Sequence, residues 1–337
     1  MFSDQIAIDL GTANTLVHVA GRGIVIDEPS VVAVRLHGAT REIMGVGAAA
    51  REVIARAPEK LDAIRPLRDG VIADYTAAEE MLRHFLKRTK SMLGFRRPNI
   101  LVSVPAGASP VDRRTVYETS EQVGARRVYL VEEPVAAAIG AGLPVDAAGA
   151  IMMVDIGGGT TDVAVLSEGQ VVQSRSLRCA GNAMDEAIVR YIRREYRLVV
   201  GELNAERIKI AAGSARSGSR RKAEIRIRGR DIDSGQEKAV VLTPDHVAEA
   251  LSGPVEEIAD FIERAVDDLP SDHADSISRR GLYLSGGGGQ LRGLDEELSR
   301  RLGVTVSLTE QPLQSVVRGS AVILAELKTR QHLLIEP

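Results

Sequence analysis

Short apolar runs bounded by glycine alternate along this chain with longer stretches of helical periodicity. Residues 6–10, 16–19, 24–26 and 31–34 read as strands of a meander that turns at Gly11 and at Gly21–Gly23. Residues 45–57 carry a helical pattern that stops before Pro58. Thr76-Ala77-Ala78-Glu79 has the spacing of a capping box, and the helix it opens places Met81, Leu82, Phe85 and Leu86 on one side. Residues 99–104 form a buried strand. Ser109-Pro110 gives an N-cap with proline at the first helical position, and Gly124 ends that helix. A strand at 128–131 leads to a helix from Pro134 to Gly142. The second half repeats the plan. Strands at 150–154 and 163–166 flank a glycine turn, and helices follow at 184–196 and 205–212. Residues 223–228 alternate in the manner of a half-wet strand, and Thr243-Pro244 caps a long helix that reaches Asp268. A strand at 281–284 precedes a helix at 291–302. A last helix, at 313–327, is expected to pack back on the first half. The pattern is that of α/β layers.

Composition narrows this picture. The length of 337 residues suits two domains, and an apolar content of 44% is ample for their cores. Aromatic residues are only 3% and tryptophan is absent, so the core must be built of Val, Ile, Leu and Ala, as near-continuous apolar strands require. A net charge of −3 argues for no nucleic-acid partner. The stretch Arg216, Arg220, Arg221, Lys222, Arg226, Arg228 and Arg230 lacks interleaved aromatics for base stacking and reads as a solvated edge beside a mobile loop at 213–222. Cys179 is the single cysteine, which excludes an internal disulfide and fits a reducing cytosol. The first apolar run contains Asp4 and Asp9 and does not read as a signal peptide. No run is long enough to span a bilayer, so membrane contact is expected to be peripheral.

The candidate chemistry lies in two copies of one motif. Asp155-Ile156-Gly157-Gly158-Gly159-Thr160-Thr161-Asp162 joins two strands through a turn of glycine and threonine. Such a turn lets the backbone approach a bulky ligand and offers successive N–H groups to an anion. Its carboxylates repel phosphate, so their natural partner is a cation such as Mg²⁺ on a nucleotide. Alone, the stretch reads as a tight hairpin whose glycines satisfy turn geometry. Near the N-terminus, however, Ile8-Asp9-Leu10-Gly11-Thr12-Ala13-Asn14-Thr15 repeats the grammar, which predicts two similar half-domains clamping one polyphosphate. A third run, Ser285-Gly286-Gly287-Gly288-Gly289, follows a strand and suits close approach to a ring or ribose.

This set resembles the actin, heat-shock-chaperone and sugar-kinase superfamily. It is nearer to the bacterial actins of the MreB/Mbl type, over essentially the whole chain and most specifically at 8–16, 23–32, 63–74, 131–143, 154–165, 185–188, 205–210 and 284–294. It departs from that family at Asn182, where an Asp is usual, at Ser285 for Thr, and at Gly289-Gln290 for small or apolar residues. The resemblance implies an actin-like ATPase fold: two RNase H-like lobes, each with a smaller inserted subdomain, and a nucleotide cleft between them. Subdomain IA would comprise 1–32, 77–145 and 312–337, IB 33–76, IIA 146–181 and 243–311, and IIB 182–242.

It also implies roles. Asp9, Gly11, Thr12, Ala13 and Asn14, with Gly157, Gly158, Gly159 and Thr160, would hold the phosphates of ATP. Asp9 and Asp155 would hold Mg²⁺ mostly through water, and Glu206, Arg207, Ile208 and Lys209 with Gly286, Gly287, Gly288 and Gly289 would hold the nucleoside. Glu133 would orient the attacking water, helped by Asp155 and Thr161. Taken bare, Glu132-Glu133-Pro134 is also what a helix dipole favours at its start, and Glu206 with Lys209 is also a surface ion pair at i, i+3. The implied activity is a slow ATPase coupled to a self-assembled filament that guides cell-wall synthesis and maintains rod shape, cytoplasmic and peripheral on the inner face of the membrane. Met92, Leu93 and Phe95, beside Lys87, Arg88, Lys90, Arg96 and Arg97, are the candidate insertion loop; the alternative is that Leu93 and Phe95 tuck beneath the preceding helix. A small-molecule kinase or a non-filamentous ATPase of the same fold are the rival readings. The six histidines show no metal-ligand spacing.

Overall fold

The computed structural model describes residues 5–37, 40–56, 61–89, 97–218 and 224–337. Two large sheets carry the chain, and they are built alike. In the first, Gly23–Pro29, Asn14–Val19 and Gln5–Leu10 form an antiparallel meander, continued in parallel by Asn99–Val104 and Arg127–Glu132. In the second, Gln170–Leu177, Thr161–Ser167 and Ile151–Ile156 form the meander, and Leu282–Ser285 and Val306–Leu308 extend it in parallel. The expected repeat is thus one of sheet order as well as of motif. The central pair Ile151–Ile156 and Thr161–Ser167 is buried on both faces almost throughout, which is why those strands are continuous Val, Ile, Met and Ala rather than alternating.

The two sheets meet through helices Glu133–Gly140 and Ser315–Ala325, which cross in backbone contact. A Cβ on Gly319 would stand 1.7 Å from the Ala136 carbonyl oxygen, and one on Gly140 1.8 Å from that of Ser315. Only glycine permits that approach. The last helix thereby packs against the first half, around a shared cluster of Val131, Val135, Met153, Leu166, Val316 and Ile323. Among the described residues three smaller sheets accompany the large ones: Thr40–Val46, Val32–His37 and Asp62–Ile64; Leu198–Val199, Ile225–Asp231 and Glu237–Leu242; and the pair Leu67–Arg68 and Val71–Ile72.

Several expected boundaries move. Gly45 and Val46 end a strand, and helix Ala48–Arg56 begins only after Gly47 turns the chain at φ 63°. Thr76 does not cap its helix: Asp74 does, accepting from the backbone N–H of Ala77 at 3.0 Å, and the helix runs Tyr75–Thr89. Gly286–Gly289 is itself a helical turn, and Gly293 in the left-handed region delays the next helix to Leu294–Leu302. The strand Leu334–Ile335, which adds an antiparallel edge to the first sheet at Leu130 and Val131, carries no sequence signal of its own. The candidate membrane residues Met92, Leu93 and Phe95 lie outside the described residues, as does part of the basic loop.

Candidate functional site

Each large sheet presents one hairpin whose tip leaves the strands just beyond an aspartate. Leu10 pairs with Thr15 in the first and Ile156 with Thr161 in the second, so residues 11–14 and 157–160 form equivalent turns. The first turn is closed by Ser30, whose Oγ donates to the Gly11 carbonyl at 2.6 Å and whose N–H donates to that of Ala13 at 3.0 Å. The second is closed by the Gly157 N–H on the Thr160 carbonyl at 2.9 Å. Helix Gly181–Tyr196 docks its start on that turn, donating from Gly181 and Asn182 to the carbonyls of Gly157 and Gly158. The two tips touch, since a Cβ on Gly158 would stand 3.1 Å from that of Ala13.

A cavity of about 690 Å³ opens between them. Its wall contains Asp9, Gly11, Thr12, Ala13 and Asn14 from the first hairpin, and Asp155, Gly157, Gly158, Gly159 and Thr160 from the second. Glu133 enters at the start of its helix, Glu206 and Lys209 from helix Glu202–Ala212, and Gly286, Gly287 and Gly288 from the glycine turn. Four expected residues do not reach it. Thr161 is fully buried and its Oγ1 donates to the Cys179 carbonyl at 2.7 Å. Thr15, its counterpart, is equally buried, with its hydroxyl 2.8 Å from that of Ser30. In both hairpins the residue paired with the end of the outgoing strand, Thr15 or Thr161, faces away from the cavity, because successive strand residues alternate. Thr160, one position earlier, is the threonine in the cavity wall. Arg207 is exposed and Ile208 is buried in the core, as the 3.6-residue helical period demands when Glu206 and Lys209 face inward. Gly289 packs beside Leu284 and Leu308.

The electrostatics are those of an acid cluster taken out of water. Burial, and then the charge of Asp155, pushes the Asp9 carboxyl up to about 7. Asp155 rises to about 6 through burial, held back by the hydroxyl of Ser285, which donates to it. Asp9 has only a long contact with Ser103 Oγ, at 3.4 Å. Glu133 is held well above the usual carboxylate range by burial and by the charges of Asp162, Asp9 and Asp155. Asp162, not singled out as a site residue, is fully buried, accepts from the Ala106 N–H at 2.9 Å and is pushed by burial up to about 7. Lys209 is not paired with Glu206. Its Nζ donates to the Gly181 carbonyl at 2.8 Å and to Asp185 at 2.9 Å, and Asp185 also lines the cavity. The sequence signal for Asp185 was its place at the head of 185–188, one of the stretches that carry the resemblance. Asp27, Gly70, Ile210, Arg292 and Leu313 also join the wall, none of them named as a site residue from the sequence.

A family model described as MreB/Mbl protein matches residues 3–332. The chain is 47% identical over 327 residues to the cell shape-determining protein MreB of Escherichia coli (strain K12), covering 96% of this chain and 94% of that one. It is 42% identical over 324 residues to the cell shape-determining protein Mbl of Bacillus subtilis (strain 168), covering 96% of each. Among solved structures, MreB5 of Spiroplasma citri bound to AMPPNP superposes with a TM-score of 0.92 at 32% identity, over 98% of both chains. The MamK double helical filament superposes with a TM-score of 0.79 at 22% identity, over 96% of this chain and 99% of that one, a likeness of fold. The repeated sheets, the paired hairpins and this agreement over nearly the full length lead to one assignment: the chain belongs to the MreB/Mbl family of actin-like proteins.

Proposed function

We propose that the cleft binds Mg-ATP and hydrolyses it, and that the nucleotide governs assembly of the chain into a filament. The family's cell shape-determining relatives support the cytoskeletal role. The observation that carries the reading is the pair of glycine-threonine hairpins facing each other across a cavity that also holds buried, uncompensated carboxylates. Gly157 and Gly158 form a cradle without side chains, and Gly286 and Gly288 lie so close to Ile156 that a Cβ would collide with its carbonyl oxygen or side chain. Polyphosphate and a nucleoside fit these two surfaces. Among the described residues no group of three or more His, Cys, Asp or Glu side chains is disposed to ligate a metal directly. Asp9 and Asp155 would therefore hold Mg²⁺ through water and ligand oxygens, as that ion prefers. The ion supplies charge neutralisation to the phosphates and to the acid cluster.

Within that arrangement Glu133 is the proton acceptor for the attacking water. It is buried, it lies in the cavity wall, and its surroundings raise its proton affinity toward the range a general base needs. Thr160, rather than Thr161, flanks the water beside it, because Thr160 lines the cavity while the Thr161 hydroxyl is spent on the Cys179 carbonyl. Lys209, held by Gly181 and Asp185, and Glu206 bind the nucleoside. Neighbours bound to AMPPNP and ADP, and the filament formed by MamK, support the nucleotide and the assembly respectively. The same reading keeps the four subdomains at their expected boundaries. It also keeps the filament on the inner face of the cell membrane, with Met92, Leu93 and Phe95 inserted and the wall-synthesis machinery as partner. Saturating Mg-ATP should raise the melting temperature, by about 2.7 kcal/mol of stability at one hundred times Kd, and should promote pelleting. Wild-type protein with no shift, or Asp155→Ala with the same shift as wild type, would overturn the cleft assignment. Leu93→Ser with Phe95→Ser should keep ATP binding and release filaments from anionic vesicles; undiminished flotation would remove the loop as the anchor.

A further inference from the structure

The two hairpins are not the only backbone at the tip of the cleft. Strands Leu67–Arg68 and Val71–Ile72 form a small antiparallel pair joined by Asp69-Gly70. Both turn residues have positive φ, 49° and 75°, the condition of a two-residue hairpin turn that Asp-Gly satisfies. This turn is wedged among three neighbours. The Gly70 N–H donates to Thr12 Oγ1 at 3.0 Å. A Cβ on Gly159 would stand 2.7 Å from Asp69 Cα and 2.9 Å from its nitrogen, so the second hairpin rests on the turn's backbone. A Cβ on Gly70 would stand 2.2 Å from the Pro105 ring, which backs the turn from behind.

We propose that the Asp69-Gly70 turn is a positioning element of the nucleotide reaction: its backbone fixes the separation of the two hairpins and aims the Thr12 hydroxyl. This inference rests on the reading of the cleft given above. A threonine hydroxyl has one proton to give and lone pairs to receive. With Gly70 donating to it, the Thr12 hydroxyl keeps its own proton for an acceptor in the cavity, whose wall it forms. Thr12 and Gly159 belong to different sheets, and the turn touches both. It therefore relates one half of the cradle to the other. What does this is main chain in the left-handed region, not the Asp69 carboxylate. Asp tolerates that region, glycine is at ease there, and a β-branched residue is not.

The test compares Asp69→Gly with Asp69→Val in steady-state hydrolysis of Mg-ATP by the full chain. Asp69→Gly should keep kcat within about twofold. Asp69→Val should lower kcat about tenfold or more with KM little changed, since mispositioned donors cost turnover rather than ground-state binding. Equal loss in both variants would assign the effect to the carboxylate and overturn the proposal, as would wild-type kcat in Asp69→Val. Should Asp69→Val fail to fold, Asp69→Ala takes its place: it lacks the carboxylate as glycine does but resists positive φ, so its kcat should fall several-fold below that of Asp69→Gly, and equal kcat in the two would sink the idea. Absence of any Mg-ATP melting shift in the wild type would instead remove the reading of the cleft itself, and is read separately.

Discussion

In the hairpin around Gly11–Asn14 the turn is closed by one serine just past a neighbouring strand, and its aspartate has only a long contact with Ser103. In the hairpin around Gly157–Thr160 the turn is gripped on every side: by the start of helix Gly181–Tyr196, by Ala13, and by the backbone of Asp69. Its aspartate accepts from Ser285. Equivalent residues in equivalent turns thus face different constraints. The first turn carries side chains at Thr12, Ala13 and Asn14, while the second carries glycine at two of those three places, and at Gly159 a Cβ would stand 2.7 Å from Asp69 Cα. A repeated motif preserves the chemistry of its tip, while each copy's surroundings decide which residues can change.

The largest effect expected concerns the group that stands between the hairpins and belongs to neither. Glu133→Ala should leave Mg-ATP binding intact and lower hydrolysis by roughly 10²–10⁴-fold, measured as phosphate release from assembled protein. An unchanged rate would transfer the role to the second hairpin, with Thr160 next.

The aspartates sharpen the comparison through pH. Asp9 and Asp155 keep their protons to about 7 and about 6 in the fold, against an ordinary 3.8. Between the unfolded and folded values the native state binds more protons than the unfolded chain, so stability falls as pH rises through that window and levels off above it. Each tenfold difference in proton affinity between the two states corresponds to at most roughly 1.4 kcal/mol. Free protein should therefore lose melting temperature from about pH 4 to 7. Asp9→Asn should flatten that slope more than Asp155→Asn, because Ser285 already offsets part of the burial of Asp155. Equal slopes in the two variants would show that the hairpins are electrostatically alike. Mg-nucleotide should recover most of the loss.

The smallest effect lies within one turn. Gly159→Ala would drive a methyl into Asp69 and should cost about 1–3 kcal/mol in denaturant unfolding. Gly157→Ala has its nearest atom at 3.5 Å and should stay within about 0.5 kcal/mol. A tolerated Gly159→Ala would mean that the second hairpin is no more tightly gripped than the first.

Local chemistry determined much of this protein in advance. The Asp-Gly-Thr turns, the glycine run, the Ser109-Pro110 cap and the long helix opened by Thr243-Pro244 all stand where the sequence puts them, because turn geometry, caps and periodicity are settled by neighbours in the chain. Asp9 and Asp155 were legible for the same reason, each standing just before a turn, whereas Glu133 was legible only through the family resemblance, since a helix start by itself also favours a carboxylate there. Tertiary structure alone decided the rest. Whether Thr160 or Thr161 faces the cavity depends on which side of the sheet is covered, and no local pattern tells the two sides apart. Asp74 replaced Thr76 as the cap because the helix begins two residues earlier, with Asp74 also paired to Arg41 far along the chain. Asp185 and the Asp69-Gly70 turn reach the site from segments dozens of residues apart, and nothing local encodes that meeting. Strand Leu334–Ile335 exists only because Arg127–Glu132 offers it an unpaired edge. Neighbours in the chain set what a residue can do within a turn or two; which residues it meets is set by the closing of two sheets around one crossing of helices.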